Sequence, residues 1–396
     1  MMCCEIPMVN LKTMKKTLYL LMSGLFLITA CDPTEPVDPQ PTQNRIVNTS
    51  IKTNTTWYSD TVYQLGGRIA VENGATLTIQ AGTVIKGEAG TGANATALLI
   101  ARGGKLIAEG TVSKPIIFTS IADEITPELI EQGVFSSPNL DPTVNGLWGG
   151  VIILGEAKIS ASNTTGDVSS VQIEGIPTSD QNGLYGGTND LDNSGVIRYV
   201  SIRHGGANIG SGNEINGLTL GGVGSGTIVE NVEVVANQDD AIECFGGKVN
   251  LTNVVSWNAG DDGFDTDQSW GGTLDNFVII NPADHMFELD GPEGSFAQGH
   301  TIKNGDVYVG GGADLINVDN NSIVDLQSIF FTNISGANQI NRVTAPLVSF
   351  SDIVIDVVDV TQHVNGTVPS GVSAGTTSKA NKSVFSWTWA SQSGNL

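Results

Sequence analysis

The chain has 396 residues, with 41 Asp and Glu against 18 Lys and Arg, a formal net charge of −23, 49 Gly and 14 Pro. With 40% apolar and only 15% charged residues it is neither a disordered tail nor a coiled coil, and its glycine-rich turns disfavour a helical bundle. So few basic residues exclude nucleic-acid binding by phosphate neutralisation; cations and neutral or cation-bridged glycans suit this charge better.

The N-terminal segment reads as an address. Met14-Lys15-Lys16 precedes a short apolar run, Thr17 to Ala30, which has the layout of a secretory signal peptide and is too short to span a bilayer comfortably. Residues 1–30 are therefore expected to be removed, with 1–13 an upstream start-site extension. The run ends in Ile28-Thr29-Ala30-Cys31, which resembles the bacterial lipobox. That resemblance implies diacylation of Cys31 and a lipid-anchored protein of the outer membrane or cell surface. Removal of Lys12, Lys15, Lys16 and Glu5 leaves 15 basic and 40 acidic residues, a formal −25. Only Cys31 and Cys244 remain, and with Cys31 lipidated no intramolecular disulfide can form. Residues 31–44 carry four prolines (33, 36, 39 and 41) and three acids, an extended tether between membrane and folded body.

From about Thr55 the chain repeats every 20–25 residues, a solenoid period. Ala75 to Lys86, Ala97 to Ala108, Pro115 to Ser120 and Trp148 to Gly155 each supply β-branched strand residues between turn residues. Helical periodicity is confined to Ile125–Gln132, expected as a short helix in an inserted loop. In the later repeats Asn231, Asn253 and Asn276 fall in one column, with Asn304 as a fourth, and Asn237, Asn258 and Asn281 fall in a second. Stacked Asn side chains can hydrogen-bond from turn to turn, as in other stacked β structures. The pattern predicts an all-β, single-domain right-handed parallel β-helix over residues 45–342, with Ile242, Phe264 and Phe287 in one inward column. Residues 343–396 lose the register and read as an irregular C-terminal cap, closing on a strand from Val384 to Trp389.

Between Asp239 and Asp290 there are eleven carboxylates and a single Lys or Arg, Lys248. Asp239-Asp-Ala-Ile-Glu243, Asp261-Asp-Gly-Phe-Asp265 and Asp284-His-Met-Phe-Glu288 repeat one spacing, their first acids 22 and 23 residues apart. Strand alternation sends Glu243, Asp265 and Glu288 outward on one face. Adjacent rungs then hold like charges about 5 Å apart, a repulsion of about 1 kcal/mol in water and several at an effective dielectric near 20. A bound cation would offset it. Hard oxygen donors select Ca²⁺, which makes Asp239, Asp240, Glu243, Asp261, Asp262, Asp265, Asp284 and Glu288 candidate ligands. The alternative is a solvated acidic face without a ligand.

Asn258-Ala-Gly-Asp-Asp-Gly-Phe-Asp265 resembles the calcium-binding segment of parallel β-helix pectate lyases. In those enzymes Asp residues on adjacent coils hold Ca²⁺ against a polyuronate carboxylate, and a Lys or Arg abstracts the α-proton. The resemblance implies Asp239, Asp261, Asp262 and Asp265 as ligands. A broader run, through Trp148-Gly-Gly-Val-Ile-Ile-Leu-Gly, Ile173-Glu-Gly, Tyr185-Gly-Gly, Ser201-Ile-Arg-His-Gly-Gly206 and Gly212 to Gly222, is similar to Gram-negative surface lipoproteins of β-helix fold.

A lyase also needs a base beside the metal-held carboxylate. Lys303 lies one to two coils beyond Asp265 but aligns with Asp275 and Thr252 at a turn; Arg203 and His204 lie one to two coils before the first acid pair. Lys248 and His285 sit inside the acidic stretch, with His285 expected to pair with Asp284 at the surface. Gly371-Val-Ser-Ala-Gly375 lacks the strand-turn-helix setting of a nucleophile elbow, and Gly221 to Gly226 lacks a complete dinucleotide fingerprint. Four unspaced histidines form no zinc motif. Two readings remain. One is a monomeric, lipid-anchored surface β-helix that binds Ca²⁺ and recognises an extracellular glycan or partner protein. The other is a Ca²⁺-dependent polyuronate lyase acting by β-elimination, with Lys303 or Arg203 as base.

Overall fold

Strands of three to nine residues between Gly and Asn turns cannot bury both of their faces alone, so they stack. In the computed structural model, which describes residues 43–396 apart from 211–214, 312, 313 and 337, they wind into a right-handed parallel β-helix. Cys31, the signal segment and nearly all of the tether lie outside the described residues.

Sheet A stacks Gln43–Val47, Thr61–Leu65, Val84–Gly87, Ile116–Ser120, Gly195–Arg203, Ile228–Val235, Asn250–Trp257, Thr273–Ile280, His300–Tyr308, Val324–Thr332, Val348–Ile355 and Val372–Ala374. Sheet B stacks Arg68–Val71, Ala97–Ile100, Val151–Leu154, Leu218–Gly221, Ile242–Phe245, Asp265–Asp267, Glu288–Leu289 and Asn317–Val318. In the early coils Thr55–Trp57, Thr76–Ile79 and Lys105–Glu109 form a separate column, which merges with sheet A at Gly195–Arg203. From there one long strand per coil covers two sides of the helix.

Each long strand bends at a residue of positive φ: Tyr199, Asn231, Asn253, Asn276, Asn304, Ser328 and Asp352. Asn tolerates this left-handed conformation better than most residues and also bonds to its neighbours. Asn253 Nδ2 donates to Asn231 Oδ1 at 3.2 Å and Asn276 Nδ2 to Asn253 Oδ1 at 2.7 Å. Asn304 keeps the bend but donates to Asp275 Oδ1 instead, at 2.7 Å. The second expected column needs correction. Asn258 and Asn281 stack, with Asn281 Nδ2 donating to Asn258 Oδ1 at 3.0 Å, but the bend on the preceding coil falls on Ala236. Asn237 lies one residue further on, and its side chain donates to the Ile215 and Asp240 carbonyls.

Inside, the register places Ile242, Phe264 and Phe287 in one buried column. Phe277 crosses Phe287 edge-on at 5.6 Å. Gly305 faces Phe277 in the next rung, where an added Cβ would meet the ring at 2.0 Å.

The expected cap also needs correction. Val348–Ile355 pairs in register with Val324–Thr332, and Val372–Ala374 adds a further rung. The segment expected as a closing strand is a 3₁₀ turn, Lys382–Phe385, followed by a short helix, Trp389–Gln392. Side chains at the helix starts favour these turns: Asn381 accepts from the Ser383 amide and Thr388 from the Ser391 amide. The tail lies across the outside of sheet A, where Phe385 and Trp389 pack on Val235, Val255, Trp257, Val278 and Ile280. The helix expected within 125–132 is present as Pro127–Glu131.

Between Val151–Leu154 and Gly195–Arg203 the chain leaves the coil and lies over the outside of sheet B. Ile159, Ile173, Ile176 and Tyr185 there pack on Ala70, Leu99, Ile152, Leu154 and Phe245.

Asn253 combines a left-handed backbone with two ladder bonds. Asn253→Ala is expected to destabilise by about 1–3 kcal/mol and Asn253→Gly by less, because glycine retains the bend. Thermal melts of the two variants check this order.

A carboxylate site on sheet B

Three rows of side chains run up the stack at the start of the sheet B strands. The register of Glu243, Asp265, Glu288 and Asn317 makes one row, pointing away from the core column of Ile242, Phe264 and Phe287. Asp240, Asp262 and His285 make the second, each carboxylate accepting the backbone N–H of the next rung. Asp262 N donates to Asp240 Oδ1 at 2.9 Å and His285 N to Asp262 Oδ1 at 2.7 Å. Asp239, Asp261 and Asp284 precede these residues in each rung and form the third row.

Several of these acids are not solvated. Asp240, Glu243 and Asp262 are 7%, 7% and 2% exposed, because the segment crossing sheet B and the turn around Asn216 lie beside them. Asn216 donates its side-chain amide to Glu243 Oε2. Tyr185 donates its hydroxyl to Gln268, whose amide donates to Glu293. The burial argues against a freely fanned acidic surface as the whole explanation.

Two triads converge. Asp239, Asp240 and Asp261 bring carboxylate oxygens within 4.8 Å of one another, as do Asp240, Glu243 and Asp265, so Asp240 belongs to both. Asp265 Oδ1 and the Asn216 and Asn237 Oδ1 atoms are buried without a hydrogen-bond partner. Unpaired oxygens beside packed carboxylates form a donor set that a hard divalent cation would satisfy.

Asp262 and Asp284 converge on His285 instead. The imidazole Nδ1 lies 3.0 Å from Asp262 Oδ1 and 4.0 Å from Glu288 Oε2, and Nε2 lies 3.6 Å from Asp284 Oδ1. Asn317 donates to Glu288 Oε1 at 3.3 Å and approaches His285 Nε2 at 3.5 Å. The expected surface pair with Asp284 is thus the looser contact, and the close partner is buried Asp262.

The candidate bases stand elsewhere. Lys303 is on sheet A, in register with Asp275 and 3.4 Å from its carboxylate. Arg203, also on sheet A, is 1% exposed under the C-terminal tail. Its Nε donates to Ser201 Oγ at 2.8 Å, Glu233 lies at 3.8 Å and the Trp389 ring at 5.0 Å. His204 is buried against the Val144 carbonyl, and Lys248 pairs with Asp190 at 3.4 Å.

Burial, then like charge, raises the carboxyl pKa values of Asp240, Glu243 and Asp265 well above the usual range. Burial is also the leading cause that raises Glu288 to about 8, Asp267 to about 7 and Asp290 to about 6. The hydrogen bond to Asp262 raises His285 to about 9. A cleft of about 540 Å³ opens between the crossing segment and Ile209, lined by Gln172, Glu174, Ile176 and Thr178 among others; of these, Glu174 acts electrostatically on Glu243.

A family model described as a pectate-lyase-like beta helix domain matches residues 49–390. The chain belongs to this pectate-lyase-like β-helix family. Membership agrees with the parallel stack and accounts for nearly all of the described residues. No curated protein and no solved structure matches the chain. Within the family fold, sequence reasoning missed the Asp262–His285 pair and Asn216. The first was legible in the aligned repeats, where His285 takes the place of Asp240 and Asp262.

Because the folded state binds protons at these acids that the unfolded chain has lost, stability without divalent cations falls as pH rises from about 4 through 6–8. His285 acts in the same direction between 6.5 and about 9. Melting temperatures in chelator are expected to be lower at pH 8 than at pH 5.

Proposed function

We propose that this β-helix binds Ca²⁺ at Asp239, Asp240, Glu243, Asp261 and Asp265, and uses the bound ion to recognise an acidic extracellular glycan. The observation that carries this reading is the pair of carboxylate triads sharing Asp240, with buried, unpartnered oxygens beside them. Calcium takes six to eight oxygen ligands and tolerates irregular geometry, so five carboxylates and nearby amide oxygens suit it better than a softer metal. An ion held by protein on one side keeps positions for a ligand carboxylate on the other. The cleft lined by Glu174 and Thr178, with Ile173, Ile176 and Ile209 as apolar walls, has the size of a small-ligand site. Asp262, Asp284 and Glu288, which surround an imidazole, are left out of the calcium set because nitrogen is a poor ligand for this ion.

Calorimetric titration with calcium is expected to show stoichiometric binding that disappears in Asp240→Asn/Asp265→Asn. Absence of heat and of any thermal shift in the unmodified protein would overturn the reading.

The surface location rests on the lipobox-like Ile28 to Cys31. We place the protein on the outer membrane or cell surface, anchored through lipid on Cys31 and acting as a monomer. Cys31→Ser is expected to move it from the membrane to the soluble fraction; unchanged membrane association would refute the anchor.

A further inference from the structure

We propose that residues 378–392 form a reversible clasp on sheet A that holds together the coils carrying the carboxylate rows, so that its release loosens the rungs of Glu243 and Asp265 on sheet B. The coupling needs no bound ion.

The tail fits a pattern in one outward row. Register aligns Ser201, Glu233, Val255, Val278 and Asp306, which sets two valines between two buried carboxylates. Asp306 holds the start of the tail, accepting the Lys379 and Ala380 amides at 2.7 and 3.1 Å and the Ser378 hydroxyl. Glu233 holds its end, accepting the Ala390 amide at 2.9 Å. Between these two points Phe385 packs with Val255 and Val278, and the Asn381 backbone exchanges hydrogen bonds with the Asn276 side chain. Lys379 also reaches Asp352 at 2.7 Å. The tail therefore runs back against the direction of coiling, from Val348–Ile355 to Gly195–Arg203, and crosses the strands between them.

The covered strands lead directly into the acid rows. Asp239, Asp261 and Asp284 stand four residues after Val235, Trp257 and Ile280, the strand ends that pack with Phe385 and Trp389. A second path runs through the inserted loop. Gln392 bonds to the Phe135 amide and the Gly133 carbonyl, and Trp387 packs in one cluster with Ile125, Ile130 and Phe135. Further along that loop the Pro142 carbonyl accepts from Asn258 at 2.9 Å, and Asn145 donates to the Asn237 carbonyl at 3.4 Å. Asn237 and Asn258 lie in the turns that lead to Asp240 and Asp262. Both paths are contiguous chains of packed or hydrogen-bonded groups, through which a displacement on one side can reach the other.

The docked tail leaves polar groups unsatisfied, which makes it releasable. Arg203 lies beneath it, 5.0 Å from the Trp389 ring and 3.8 Å from Glu233. Arg203 Nη1 and Trp387 Nε1 are buried without a hydrogen-bond partner among the described residues. Undocking returns the ion pair and these donors to water, and their hydration offsets part of the apolar contact that is lost.

The experiment measures backbone hydrogen exchange in the purified protein, in a variant lacking residues 376–396 and in Trp389→Ala. Exchange at Ile242–Phe245 and Asp265–Asp267 is expected to rise about tenfold or more in both variants. Thr76–Ile79, whose side chains share no packing cluster with the tail, is expected to be unchanged. A synthetic peptide of residues 376–396, added to the truncated protein, is expected to restore protection on sheet B. Faster exchange confined to the sheet A strands under the tail overturns the coupling, and unchanged exchange throughout overturns the clasp. Equal loss of protection at Thr76–Ile79 in both variants overturns it too, because the tail would then support the whole fold. No recovery with the peptide overturns its reversibility.

Discussion

In-register parallel stacking governs everything else in this molecule. Rungs about 4.8 Å apart place each residue against its counterpart in the next coil, so a side chain that suits one rung is multiplied along the axis. For Ile242, Phe264 and Phe287 multiplication gives a continuous core. For Asn231, Asn253 and Asn276 it gives a hydrogen-bonded ladder that also stabilises a bend unfavourable to most side chains. For the acids it gives repulsion, and the same register that organises the fold creates an electrostatic problem on one of its sides.

That problem is sharpened by burial. An exposed acidic ladder would be screened by salt within roughly 10 Å and would cost little. Here the chain between sheet B and Gly195–Arg203 crosses the outward side of sheet B, and Asn216 closes against Glu243. The crossing segment contributes apolar contacts through Ile159, Ile173 and Tyr185, and its presence lowers the dielectric around carboxylates that the repeat had already brought together. The cluster is therefore a joint product of periodic sequence and one long interruption of the period. A solenoid of perfect repeats would have the acids in rows but not the burial that raises their affinity for protons.

The same division explains what the sequence revealed. Fold, strand periodicity, the outward row of Glu243, Asp265 and Glu288, and the first Asn column follow from period and alternation, which are local properties. The second Asn column failed at Asn237 because the bend slipped by one residue to Ala236, and a spacing of 21 or 22 residues does not reveal such a slip. The tail misled for a related reason: Phe385, Trp387 and Trp389 alternate as in a strand and are all buried, yet they are carried by short helical turns that cap themselves with Asn381 and Thr388. Burial of Arg203 depends on that tail returning across sheet A from the far end of the chain. Contacts of such sequence separation leave no periodic trace.

A quasi-one-dimensional fold can hold a costly site because its stability is a sum over rungs and their interfaces. The acidic stretch, from the rung of Asp240 to that of Glu288, shares its coils with the Asn ladders that keep it in register. Local opening should concentrate where carboxylates face one another. The row Asp240, Asp262, His285 then has a physical logic: two carboxylates stacked on one another favour a cation, and a third rung that substitutes imidazole for carboxylate relieves the row with a protonatable nitrogen. One periodic position thus changes from carboxylate to imidazole over two coils, while its backbone hydrogen bonds repeat from Asp262 to His285.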